Sequence, residues 1–379
     1  MNIAYFNATL KYGQDGVTRV MYNTFDAAIK QGIKCIAFGS ALPPVEQQTI
    51  PMYRVPSVPL PLQKAYRVAL PYQSFAKTLL EFKPDLIHVN SPCTLGYAAL
   101  KFARQFDIPI VATYHTHFPT YPRYYNLHWL EETTWKIIRY FYNQLDRTFV
   151  PTQPILNELR DHGLDRLQYL PNGIDRSLFS PERRSEEWRT AIGANAKPVV
   201  LFVSRLVWEK DLRVLAEMYT ILRSGSVPFE MVVVGDGHAR RELETMMPGA
   251  HFLGFQSGAD LSRSFASSDI FVFPSTTETF GLVTVEAMAS GLVPVAARAG
   301  GAIGIIEEEK SGLFSEPRDS VSLVAQVKRL VMNPAERALL AEGALQRAEH
   351  YEWKNIVGNL FDAYGDVIRR HRIERRVAA

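Results

Sequence analysis

Short apolar runs alternate with stretches of helical period along almost the whole chain, and this alternation restricts the fold more than any other feature. The runs are "MNIAYFNA", "KCIAFGS", "DLIHVN", "PIVATYH" and "RTFVPT", then "VVLFVSR", "FEMVVVGDG", "AHFLGF", "DIFVFPS" and "VPVAAR". Each is bounded by turn formers and apolar on consecutive positions, the pattern of a strand buried on both faces. Between them lie segments such as "YGQDGVTRVMYNTFDAAIKQG", a turn that opens an apolar-periodic helix ending at Gly32, and "YAALKFARQFD". The alternation predicts an α/β protein whose parallel sheets are covered by helices.

The pattern pauses at 171–198, "PNGIDRSLFSPERRSEEWRTAIGANAKP", which is polar and rich in turn formers, and then restarts. A chain of 379 residues is longer than one typical α/β domain. Two doubly wound, Rossmann-like domains are therefore expected, residues 1–175 and 176–352. The end, 353–379, reads as one amphipathic helix with a basic tail.

Charge and cysteine usage remove several function classes. With 42 basic and 39 acidic residues the net charge is +3, so the overall field gives no reason to propose nucleic acid as a partner. Cys35 and Cys93 are far apart and form no metal-ligand spacing, which fits small buried residues in a reducing compartment. The N-terminus lacks the basic, apolar and small-residue order of a signal peptide, and no run of about 18 apolar residues occurs. A cytoplasmic protein is expected, with any membrane contact peripheral.

Ligands of open parallel sheets bind beyond the carboxyl ends of the strands, so chemistry is sought just after each apolar run. Gly13, Asp15 and Gly16 follow the first strand, where a glycine turn lets backbone amides approach a phosphate; an ordinary turn fits equally. In "SRLVWEK", Arg205 and Lys210 offer a fork of donors and a point charge to a diphosphate, although two loop cations are often merely solvated. In "PSTTETFGLVTVEAMASG", Gly281 opens a helix and leaves the Gly281, Leu282 and Val283 amides for an anion. Glu278 and Glu286 flank that helix start. A carboxylate repels phosphate, so both acids must face something else, and hydroxyls of a ribose or hexose are the natural partners. The alternative is an acid at a helix start and a second on a solvated face.

His115 and His117 lie in "TYHTH" after "PIVA"; no third ligand stands nearby, so zinc is not expected, and each is either a loop residue or a hydrogen-bonding partner of a substrate. Two stretches, 54–73 and 117–144, are crowded with Tyr, Trp, Pro, Arg and Lys, a composition that suits lipid headgroups, an aromatic acceptor cleft or simple core. Lys64, Arg67 and Tyr72 are the expected lipid-facing residues, with Lys64 and Arg67 placed on a short helix. Arg369, Arg370, Arg372, Arg375 and Arg376 of the tail are expected to add attraction to an anionic surface.

These residues resemble the retaining glycosyltransferases of family four. Arg205 and Lys210 in "SRLVWEK", the run "VVVGDGHARRELE", and Glu278 with Glu286 followed by Gly300 and Gly301 stand in the family's order. The resemblance implies the GT-B fold, with two Rossmann-like domains facing across a cleft and the last helix packing back on the first domain. It implies a nucleoside-diphosphate sugar, UDP- or GDP-linked, as donor. Glu278 would contact hydroxyls of the donor hexose and Glu286 the ribose, while Arg205, Lys210 and the helix start, Phe280 to Val283, hold the diphosphate. His115 falls on the family's sugar-contacting histidine and Gly16 on its phosphate-side loop. The segments "VPSVPLPLQKAYRVALP", "SPCTLGYAAL", "TYHTHFPTYPRYY" and "ELRDHGL" are nearest to the branch that glycosylates diacylglycerol-type lipids, which implies a lipid acceptor at the inner face of a membrane. A soluble glycan acceptor, or a nucleotide-sugar epimerase of the same fold, are the alternatives. No D-x-D occurs, so no metal and no further cofactor are expected. One departure is Gly304, where the family usually carries an acid.

Overall fold

The computed structural model describes residues 1–11, 16–59, 67–69, 73–120 and 128–378. The chain divides into two compact units. One comprises Met1–Pro119, His128–Pro171 and Lys354–Ala379, and the other contains Asn172–Trp353.

The first unit is built on a seven-stranded parallel sheet. Its strands are β1 (Asn2–Phe6), β2 (Lys34–Gly39), β3 (Met52–Arg54), β6 (Leu86–Val89), β7 (Ile110–Thr113), β8 (Arg147–Val150) and β9 (Leu167–Tyr169), in the order β3-β2-β1-β6-β7-β8-β9. A separate antiparallel pair, β4 (Ser57–Pro59) and β5 (Arg67–Ala69), matches Ser57 to Ala69 and Pro59 to Arg67. The second unit carries β10 (Val199–Val203), β11 (Glu230–Val234), β12 (His251–Gly254), β13 (Ile270–Phe273), β14 (Val293–Ala297) and β15 (Leu313–Ser315), ordered β12-β11-β10-β13-β14-β15. Every pairing within the two large sheets is parallel. Such sheets need both faces covered, and β1, β6, β7, β10, β11, β13 and β14 are buried along nearly all of their length.

Strand order reverses between β1 and β6 in the first sheet and between β10 and β13 in the second. Helices diverge to opposite faces at such a point and leave a crevice beyond the strand ends. The crevice of the first sheet is flanked by Asn7 and Asn90, and that of the second by Ser204 and Pro274.

One expectation about the membrane stretches changes. The region of Lys64 and Arg67 was expected to be helical, but Arg67 lies in strand β5. Proline at 56, 59 and 61 removes backbone donors and fixes φ, which disfavours a helix and suits a short edge hairpin. Lys64 and Tyr72 lie outside the described residues. The C-terminal helix, Trp353–Ala378, packs its apolar face (Leu360, Ala363, Tyr364 and Val367) into the first unit. Two of its arginines form ion pairs there, Arg372 with Asp85 at 2.8 Å and Arg375 with Asp107 at 2.9 Å, while Arg369 contacts Asp366 on the helix itself. These ion pairs tie the tail to its own domain through side chains that stay exposed.

Buried beneath that helix, His88 places Nδ1 against the Tyr364 hydroxyl and Nε2 at 3.0 Å from Thr113 Oγ1. Burial, helped by nearby His115, lowers its pKa to about 3. An unfolded histidine titrates near 6.5, so below that pH the unfolded state takes up a proton the folded state refuses. Stability contributed by neutral His88 is therefore complete above pH 6.5 and is lost as pH falls toward 3. Urea denaturation at pH 7.5, 6 and 5 should show a loss approaching about 1.4 kcal/mol per pH unit below 6.5 from this residue. The slope should flatten in His88→Asn; an equal slope in both proteins would remove His88 as its source.

Candidate functional site

In the second unit the candidate residues gather at the β10/β13 crevice. Strand β10 ends at Val203 and delivers the loop Ser204–Val207, on which Arg205 is exposed. A close approach of two glycines braces this loop. A Cβ on Gly235 would lie 1.8 Å from the Ser204 carbonyl oxygen, and one on Gly237 would lie 2.3 Å from that of Leu206. The Leu206 amide donates to Asp236 O at 2.9 Å. The "GDG" of the sequence is thus a packing surface for the strand end that carries Arg205.

Lys210 closes a 3-10 turn, Trp208–Lys210, and its ammonium contacts the carboxylate of Glu278, with the two side chains 11% and 25% exposed. Hydrogen bonds at three consecutive residues, Thr276 to Glu278, fix the Glu278 loop. Asp211 Oδ2 accepts from both the amide and the hydroxyl of Thr276, each at 3.0 Å. Thr277 Oγ1 donates to Glu209 O at 3.2 Å, and Glu278 O accepts from the Gly301 amide at 2.7 Å. Asp211 itself adopts a left-handed backbone, φ 53°, and is buried, which raises its carboxyl pKa against the lowering effect of the Thr276 hydrogen bonds and Arg318. Gly300 and Gly301 complete the clamp, since a Cβ on either would meet the Glu278–Phe280 backbone at 2.4 to 2.7 Å.

Gly281, at φ 92°, starts the helix Leu282–Ala289. The first intrahelical bonds are donated by Thr284 and Val285 to Gly281 O. The amides of Leu282 and Val283 precede them and point out of the helix start, where the helix dipole favours an anion. Phe280 is buried against Tyr351. Glu286 lies in this otherwise apolar helix and is 3% exposed. Withdrawing a carboxylate from water is costly, so its retention among Val, Ala and Met points to a task beyond packing.

In the first unit, Gly16 is the first residue of the helix Gly16–Lys30, while Gly13 and Asp15 lie outside the described residues. His115 follows β7 and sets Nε2 at 3.1 Å from Asn90 Oδ1, just beyond β6. Desolvation lowers its pKa to about 4, so the ring is neutral at ordinary pH. His117, expected to face an acceptor or lipid, is instead enclosed. It is 4% exposed, with Nδ1 3.1 Å from the Tyr114 hydroxyl, Nε2 3.2 Å from Glu158, and Trp135 edge-on to its ring. It ties its loop to the helix Gln153–Asp161. Of Arg67 only the backbone is described. Among the described residues no group of three or more metal-ligating side chains occurs.

Sequence reading missed Asp211 and Asn90. An aspartate directly after a predicted phosphate-side lysine was a usable signal for the first; nothing local distinguished the second. Asp211→Gly keeps the left-handed backbone and removes the acceptor, which should cost about 1.5–3 kcal/mol. It should also speed amide exchange at Thr276–Glu278 while leaving β10 and β13 protected. Unaltered exchange at the loop would show that Asp211 does not hold it.

Residues 14–178 match the family described as Glycosyltransferase Family 4, and residues 184–347 match Glycosyl transferases group 1. A GDP-mannose-dependent alpha-mannosyltransferase of Corynebacterium glutamicum is 34% identical over 316 residues, 83% of this chain and 75% of that protein. The sulfoquinovosyl transferase of Arabidopsis thaliana is 37% identical over 286 residues, 73% of this chain; the match spans only 55% of that longer protein. The solved structure of sucrose-phosphate synthase from Thermosynechococcus elongatus superposes with a TM-score of 0.83 at 20% identity, over 98% of this chain and 100% of that one, which speaks to the fold. Two parallel Rossmann-like sheets, this full-length likeness and both family matches lead to one conclusion: the chain belongs to glycosyltransferase family 4, nucleotide-sugar-dependent enzymes of the GT-B fold.

Proposed function

We propose that this protein is a retaining hexosyltransferase that moves a hexose from a UDP- or GDP-linked donor to a lipid-type acceptor at the inner face of a membrane. The observation that carries the donor half is the Lys210–Glu278 contact beside the helix start at Gly281, all at the β10/β13 crevice. The diphosphate lies against the Leu282 and Val283 amides with Arg205 and Lys210 on its charge. Glu278 accepts from hexose hydroxyls and Glu286 from the ribose.

As the glycosidic C–O bond breaks, its electron pair goes to the departing diphosphate, whose growing charge these cations and amides already face. The acceptor hydroxyl attacks from the same side, its proton passes to the phosphate oxygen that has just left, and the configuration is retained. No further cofactor enters the step, and Arg205, Lys210 and the helix start supply the positive charge that a metal supplies elsewhere.

The lipid acceptor is supported by the sequence resemblance and by a surface of the first unit. On the helix Glu131–Tyr142, Ile137 and Tyr140 are exposed three residues apart, and Trp129 just ahead of it is 73% exposed. An aromatic and aliphatic surface of this kind suits a lipid interface. Among the described residues no helix is long and apolar enough to cross a membrane.

Radiolabelled GDP-mannose and UDP-glucose, each supplied with a membrane lipid extract, test the reading. One donor should pass label into an organic-soluble product with retained anomeric configuration by NMR, and activity should persist in EDTA. Arg205→Ala or Lys210→Ala should lower kcat/KM about 10²–10³-fold. Label recovered only in water-soluble glycan would replace the lipid acceptor. Inverted configuration, or loss in EDTA reversed by Mg²⁺, would overturn the mechanism.

A further inference from the structure

Tyr351 ends the 3-10 turn Glu349–Tyr351 of the second unit and is buried. Its backbone has a fixed base. Tyr351 O accepts from the Ile174 amide at 2.8 Å, and the Trp353 amide donates to Ile174 O at 3.0 Å. Gly173 permits this approach, since a Cβ there would lie 2.6 Å from the Trp353 ring. The side chain makes two further contacts. Its ring meets Phe280 edge-on, with centroids 5.6 Å apart and planes at 73°. Its hydroxyl donates to Gly304 O at 3.2 Å, and Arg347 Nη2 lies 3.2 Å from both that carbonyl oxygen and the hydroxyl. A guanidinium can only donate, so the hydroxyl accepts from Arg347 and keeps its own hydrogen for Gly304. Arg347 Nε donates to Ile305 O at 2.9 Å.

We propose that Tyr351, braced by Arg347, is a positioning residue of the donor site: it holds Phe280 and thereby aims the Leu282 and Val283 amides. This rests on the reading in which those amides receive the donor diphosphate. The contacts form a closed ring around the helix start. Gly301 N donates to Glu278 O at 2.7 Å, Gly304 N donates to Gly301 O at 3.0 Å, Gly304 O takes the Tyr351 hydroxyl, and the Tyr351 ring returns to Phe280. Phe280 directly precedes Gly281, whose φ of 92° turns the chain into the helix Leu282–Ala289. Glycine imposes no torsion of its own, so the direction of the amides that follow is set by what holds its neighbours. Glu278 is held through its backbone, and Phe280 through its ring. Donors that must already face a developing charge lose rate when they are misaimed, even by a change that touches no substrate. Gly304 enters this brace through its carbonyl, which any residue at that position would supply.

Amide hydrogen exchange and steady-state kinetics of the full chain test the brace in three variants. Tyr351→Leu removes ring and hydroxyl, Tyr351→Phe keeps the ring, and Tyr219→Leu is a control at a buried tyrosine of the same unit whose hydroxyl bonds Pro248 O. Exchange is read at Thr284 and Val285, whose amides close on Gly281 O, and at Gly301, with β11 as the internal reference. Kinetics use whichever of GDP-mannose and UDP-glucose passes label to the lipid extract. Tyr351→Leu should speed exchange at the three amides at least about tenfold while β11 stays protected. It should also lower kcat/KM about 10–100-fold. Tyr351→Phe should recover most of both, and Tyr219→Leu should lose stability in urea with neither change. If Tyr351→Leu does not fold, Tyr351→Met refills the space and carries the same comparison. Unchanged exchange at the three amides, or an equal change in Tyr219→Leu, overturns the proposal. Faster exchange with unchanged kcat/KM would leave the brace standing but overturn its donor role, together with the reading of those amides as the diphosphate site.

Discussion

The contact between the Lys210 ammonium and the Glu278 carboxylate is the interaction on which the site turns. An acid beside an anion-binding helix start would repel phosphate, and a lysine alone would leave a sugar unoriented. Placed together they form a locally neutral pair with capacity to spare. Lys210 has further donors for a phosphate and Glu278 further lone pairs for hydroxyls. In the proposed reading one pair thereby joins the charge-bearing and sugar-bearing parts of a donor, and within the protein each charge has its counter-charge. Replacing only one partner leaves the other charge partly buried, so both positions are constrained together.

Holding that pair is work for the scaffold. The β10/β13 reversal opens the crevice, and the loops beside it are held by close backbone approaches and hydrogen bonds. Gly235 and Gly237 press on Ser204–Leu206, Gly300 and Gly301 press on Glu278–Phe280, and Asp211 bonds Thr276. Backbone contacts this close tolerate little drift, which suits a site that must face charge as it develops without reorganising. In the first unit the same economy recurs with buried polar groups. Tyr364, His88 and Thr113 link the last helix to the sheet, and Met21, Asn90 and His115 link the first helix to the crevice.

Much of this was legible in the sequence because parallel strands announce themselves as uninterrupted apolar runs. β1, β2, β6, β7 and β8 and their counterparts β10, β11, β13 and β14 all lie within runs read that way, and the helix expected to end at Gly32 ends at Lys30, with Gly32 left-handed at φ 69° just beyond it. Strands β3, β9 and β15 were not anticipated. They are three residues long and lie at sheet edges, where the apolar run is too short to stand out. The proposed donor residues stood out because they are uncommon choices in such places: a carboxylate in an apolar helix, a glycine at its start, two cations after a strand. What the sequence could not show was partnership. The tail arginines Arg372 and Arg375 pair with Asp85 and Asp107 more than 260 positions away in the chain, and Tyr114, Trp135 and Glu158 close around His117 only in the fold.

The central claim is that the Lys210–Glu278 pair joins the two parts of a nucleotide-sugar donor, and a crystal structure with a non-hydrolysable nucleoside-diphosphate hexose tests it most directly. The account predicts the diphosphate against the Leu282 and Val283 amides and Lys210, hexose hydroxyls on Glu278, and the ribose on Glu286. A diphosphate bound away from Gly281, or a hexose that leaves Glu278 facing only Lys210, would contradict it.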